Sequence, residues 1–116
     1  MQPETRDPAY LWDILQAAKD ISDFVADMTF EQFATDKKTR FAVERQLLVI
    51  GEAANHVSAH FRNEHPEIPW PKMIAQRNVL AHEYGEILVE RIWLVAKDST
   101  PKLIEVLQTL LEQTRL

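Results

Sequence analysis

Val43, Leu47, Ile50, Ala54, Val57 and Phe61 follow one another at alternating steps of four and three residues. That spacing predicts a helix over about residues 37–63, with one apolar seam for packing against neighbouring helices. Leu11, Ile14, Leu15, Ala18, Ile21 and Val25 repeat the pattern and predict an earlier helix over about 8–28, flanked by Trp12 and Phe24. Asp7 reads as its N-cap and Pro8 as its first helical residue. Thr29 and Gln32 have the spacing of a capping box, which opens a short segment holding Phe30 and Phe33. Asp36-Lys37-Lys38 is a polar break.

His65-Pro66-Glu67-Ile68-Pro69-Trp70-Pro71 reads as a stiff connector, because each proline disfavours helix in the residue before it. A further helix over about 71–82 follows, with Met73, Ile74 and Leu80 inward and Gly85 as its C-terminal stop. Ile87, Leu88, Ile92, Trp93, Val95 and Ala96 belong to the next helix. Thr100-Pro101 repeats the cap-then-proline signal, opening a last helix to about residue 114 through Leu103, Val106, Leu107, Leu110 and Leu111. Only 2 glycines occur in 116 residues, too few for a sheet protein rich in tight turns. The expected fold is all-α: one up-and-down, antiparallel bundle of four to six helices spanning residues 1–116 as a single domain.

The chain has no cysteine, which excludes disulfides, thiol nucleophiles and cysteine-bound zinc. No apolar run approaches the roughly 20 residues of a membrane span, and the first residues are polar, so a cytoplasmic protein without membrane contact is expected. The formal net charge is -5. A broad nucleic-acid surface is usually basic, so any such contact is expected to be local or shared with a partner.

Chemistry concentrates in Arg77-Asn78-Val79-Leu80-Ala81-His82-Glu83-Tyr84-Gly85. Arginine holds phosphate with a planar fork of donors, and histidine suits proton transfer near neutrality. Together they form a minimal kit for cutting a phosphodiester. They serve equally as ordinary partners for the end of a helix dipole. Arg77 and His82 stand about 140° apart on an ideal helix, so one straight helix does not aim both at one atom. A two-fold homodimer pooling two copies is the better geometry. Asn78 and His82 share a face. A second stripe of Arg45, Glu52, His56 and His60, with Val49 beside it, lies away from the long helix's apolar seam. It suits a dimer surface, a cleft wall or simple exposure. Glu52, His56 and His60 also have ligand spacing, but no fourth ligand is indicated, and neither a metal nor a cofactor is expected.

Arg77-x4-His82-x-Tyr84 resembles the R-x4-H-x-Y motif of HepT proteins, the HEPN-domain toxins of type VII MntA–HepT toxin–antitoxin pairs. The resemblance extends to Asp36-Lys37-Lys38-Thr39, Ile50-Gly51-Glu52-Ala53 and Ile68-Pro69-Trp70, with Gly85 directly after the tyrosine as a mild departure. It implies a HEPN-like bundle and a metal-independent endoribonuclease with a composite site at a homodimer interface. Arg77 would grip the scissile phosphate, His82 would be general acid or base, and Asn78 would be auxiliary. The resemblance also implies an MntA-type nucleotidyltransferase antitoxin that adenylylates (AMPylates) Tyr84. The residues alone also admit a non-catalytic, nucleotide- or partner-binding module, or a purely structural bundle.

Overall fold

The computed structural model describes residues 3–82 and 89–113, with side chains described for 6–81 and 89–113. Every element among the described residues is helical: α1 (Pro3–Val25), α2 (Phe30–Thr35), α3 (Lys37–His56), α4 (Ala59–Glu64), α5 (Trp70–His82), α6 (Val89–Leu94), a π-helical turn (Val95–Ser99) and α7 (Thr100–Gln113). The all-α bundle expected from the spacing is the fold observed. α1 packs between α3 and α7, and α3 packs between α1 and α5.

The apolar stripes form the core. Leu11, Ile14, Leu15, Ala18, Ile21 and Val25 of α1 are all buried, as are Val43, Leu47, Ile50 and Ala54 of α3. Burying a side chain of this size stabilises by about 1.5–3 kcal/mol. Three cross-links tie α1 to α3 and the break just after it, and show α1 and α3 antiparallel, since rising numbers on one meet falling numbers on the other. Asp7 accepts hydrogen bonds from the Ser58 amide at 2.9 Å and its hydroxyl at 2.7 Å. Tyr10 stacks on His56 with ring centroids 5.3 Å apart. Gln46 donates to Asp20 at 2.7 Å.

The capping box forms as expected. Thr29 Oγ1 accepts from the Gln32 amide at 3.2 Å, and Gln32 Oε1 accepts from the Thr29 amide at 2.9 Å. The polar break narrows to Asp36, which ends α2 and caps α3. Its carboxylate accepts from the Thr39 amide at 3.1 Å and hydroxyl at 2.9 Å. The Thr39 amide first, then its hydroxyl, holds the Asp36 carboxyl below its ordinary titration range.

Three boundaries differ from expectation. α1 begins at Pro3 and ends at Val25, with Pro8 inside it. Pro8 removes only one bond near the helix's start, and Asp7 is buried with its carboxylate turned to Ser58 rather than to its own helix end. The segment expected over 37–63 is two helices. Val57 is extended, and Ser58 restarts the chain by accepting from the Phe61 amide at 3.1 Å. Its hydroxyl donates to Asp7 at the same time, so the break is fixed from α1. Thr100-Pro101 opens α7 as expected, but Thr100 is in the right-handed helical region directly after the π-helical turn, rather than a separate cap outside the helix. Its hydroxyl donates to the Val95 carbonyl at 2.8 Å, and the widened turn absorbs the proline that follows. The same turn delivers Lys97 to the Val25 carbonyl at 3.2 Å, tying down the end of α1.

Candidate active site at the α3–α5 crossing

The Pro-rich connector sets where α5 begins. Trp70 is buried and its indole nitrogen donates to the His65 carbonyl at 3.0 Å. From that anchor α5 crosses α3 at Gly51, which is buried inside the helix. A β-carbon at position 51 would collide with Cβ of Arg77 and lie 2.8 Å from the Met73 carbonyl oxygen. The glycine therefore permits the close approach that lays the root of Arg77 on α3.

One residue further along α3, Glu52 receives the arginine: Arg77 Nη2 lies 2.9 Å from Glu52 Oε2. Arg77 Nη1 donates to Asn78 Oδ1 at 3.0 Å. The other carboxylate oxygen, Glu52 Oε1, lies 3.2 Å from His56 Nε2. One carboxylate thus bridges a guanidinium and an imidazole, and the imidazole rests on the Tyr10 ring. These groups line a cleft of about 400 Å³ between α1, α3 and α5, with Asp13, Arg45 and Val49 completing the wall. The Glu52 side chain is half exposed, at 50%. Ion pairs of that exposure are worth about 0–1 kcal/mol, so an incoming anion can exchange with the carboxylate for Arg77.

The stripe predicted on the long helix divides. Arg45, Glu52 and His56 belong to the cleft. His60 sits on α4 beyond the break and pairs with Glu64 at 3.0 Å. Asn78, about 100° round α5 from Arg77, lines a second hollow with Arg62, Pro66, Trp70 and Ile74. α5 stays helical to His82, so the angular separation of Arg77 and His82 holds at the level of the backbone. The side chain of His82, and all of Tyr84 and Gly85, lie outside the described residues.

Sequence reasoning missed the Glu52–Arg77 pair and the roles of Tyr10 and Asp13, which come from a different helix. The available signal was Gly51, an isolated glycine inside a helical pattern, which marks close approach of another backbone.

The sequence pattern of the family described as Ribonuclease HepT-like matches residues 14–110. "Probable ribonuclease HepT" of Thermococcus cleftensis is 43% identical over 94 residues, covering 81% of this chain and 86% of that protein. "Putative RNase MJ0127" of Methanocaldococcus jannaschii is 42% identical over 104 residues, covering 90% of this chain and 86% of that protein. "Putative RNase MJ1380" of the same organism is 38% identical over 95 residues, covering 82% and 87%. No solved structure matches the chain. With its all-helical bundle and its match over most of its length, the chain belongs to the HepT-like ribonuclease family.

Proposed function

We propose that the protein is a metal-independent endoribonuclease, the toxin of a type VII toxin–antitoxin pair, in which Arg77 holds the scissile phosphate and His82 moves a proton. The observation that carries this reading is the placement of Arg77. Its guanidinium reaches into an open cleft, held by exchangeable partners, in a chain of the HepT-like family. A phosphodiester replacing the Glu52 carboxylate would meet the same fork of donors. The charge building up on phosphorus during attack by a ribose 2′-hydroxyl would then fall on a fixed cation. Asn78 orients that cation through its amide oxygen.

The working unit in this reading is a homodimer. Phe41, Arg45, Leu48 and Glu52 recur on α3 at steps of four, three and four, and Phe41 is 58% exposed. A second copy covering that stripe would bring both clefts to one axis and offer His82 of each chain to the Arg77 of the other. The antitoxin is a small MntA-type nucleotidyltransferase that transfers adenylate to the Tyr84 hydroxyl. The added phosphodiester anion would compete for Arg77, and the base would obstruct the cleft.

Co-expression with the nucleotidyltransferase tests the pairing. Expressed alone, the chain arrests growth and RNA profiling shows new cut ends. Co-expressed, it is harmless and heavier by one or more adenylate units, all on Tyr84. Tyr84→Phe stays toxic under co-expression. An unmodified wild type, or adenylate on Tyr10, contradicts the mechanism of neutralisation.

A further inference from the structure

Proton transfer during RNA cleavage has two ends: a base takes the 2′-hydroxyl proton, and an acid protonates the departing 5′-oxygen. Arginine stays charged and performs neither. His82 supplies one such group, at a register about 140° round α5 from Arg77. A second histidine stands in the Arg77 cleft itself. His56 is held on two sides, by Glu52 at its Nε2 and by the Tyr10 ring against its face. The carboxylate that fixes it is the one that touches Arg77, so imidazole and guanidinium are neighbours across a single anion. Carboxylate, imidazole and an open reaction space form the orienting arrangement of a general base.

We infer that His56, oriented by Glu52, is the general base that takes the 2′-hydroxyl proton, leaving His82 as the acid. This rests on the ribonuclease reading above and adds a residue to it. With Nε2–H donated to Glu52, the lone pair lies on Nδ1. Nδ1 takes the 2′ proton and the 2′-oxygen bonds to phosphorus. The bond from phosphorus to the 5′-oxygen breaks, and His82 protonates that oxygen. The products are a 2′,3′-cyclic phosphate and a free 5′-hydroxyl. Glu52 is a positioning residue. The charged and titratable groups facing His56 are Glu52 and Arg45 on α3, Tyr10 and Asp13 on α1, and Arg77 on α5. His60 on α4 is turned away to Glu64.

Cleavage of a fluorescent single-stranded RNA by the purified full chain, measured across about pH 5–9, tests the assignment. His56→Ala lowers kcat about 100-fold and removes the rise of rate with pH on the acidic side, with KM little changed. His56→Gln keeps a side-chain amide to bond Glu52 but has no titratable nitrogen, and it loses as much as alanine. His60→Ala behaves as wild type. Full activity in His56→Gln would make His56 a structural support for Glu52 and overturn the inference. So would a wild-type profile in His56→Ala. Both results would leave the ribonuclease reading standing. A wild type that cuts no RNA at any pH would remove that reading, and this one with it.

Discussion

Arg77 and Asn78 are adjacent in sequence and face different surroundings. Arg77 enters a cleft of about 400 Å³ where Glu52, His56, Asp13 and Arg45 converge. Asn78 borders a hollow of about 790 Å³ walled by Trp70, Ile74, Pro66 and Ile68, with Arg62 at its edge. The larger hollow is therefore not the one where acids, bases and histidine gather. One step of about 100° along a helix is enough to exchange one environment for the other. What fixes the side on which Arg77 emerges is the crossing at Gly51, where Arg77 and Met73 lie against α3.

The comparison is broken most severely by taking the donor fork away. Arg77→Lys keeps the charge and loses the planar geometry, so cleavage should fall about 100-fold or more with the melting temperature unchanged. Near-wild-type turnover would mean that charge alone suffices. Gly51→Ala attacks the crossing. It should lower stability by about 1–3 kcal/mol in denaturant titration and reduce cleavage, because α5 must shift to clear the new methyl. An unchanged midpoint would show that the close approach is dispensable.

At the second hollow, Asn78→Ala removes one exposed hydrogen bond that its amide oxygen accepts from the guanidinium cation. The expected loss in kcat/KM is about tenfold or less. A loss as large as that of Arg77→Lys would make Asn78 a direct substrate contact. The smallest effect on activity belongs to Asp36, which touches neither hollow. Its carboxyl is held low by Thr39, so the cap stabilises the fold above the ordinary carboxylate range and is lost as pH falls through its lowered one. Asp36→Ala should lower the melting temperature at neutral pH, lose that difference in strong acid, and leave cleavage untouched. A reduced rate at neutral pH would tie α3's start to the cleft.

Much of the fold was legible because its determinants are local. The stripes on α1 and α3 needed only their own spacing, and the Thr29–Gln32 box needed four residues. Misreadings arose where the partner is remote. Asp7 looks like a cap for α1, but its carboxylate serves Ser58, 51 residues away. That distant bond also ends α3 at His56. Thr100-Pro101 does mark the start of α7, but the widened turn that runs into it, and makes Thr100 helical rather than a cap, leaves no mark in the sequence. In the cleft, Arg77 was singled out by residue type, and Arg45, Glu52 and His56 by their common stripe, whereas Asn78 lines the other hollow. Tyr10 and Asp13 were not, since only the packing of α1 on α3 brings them there. His60 shared the stripe but lost it at the Val57 break.

The central claim is that Arg77 in this cleft holds the phosphate of an RNA being cut without a metal. Single-turnover cleavage of an end-labelled RNA, run in excess EDTA with wild type and Arg77→Ala, tests it directly. The account predicts fragments ending in a 2′,3′-cyclic phosphate from the wild type, at a rate unaffected by the chelator, and none from Arg77→Ala. Cleavage that stops in EDTA, or that Arg77→Ala sustains, would contradict it.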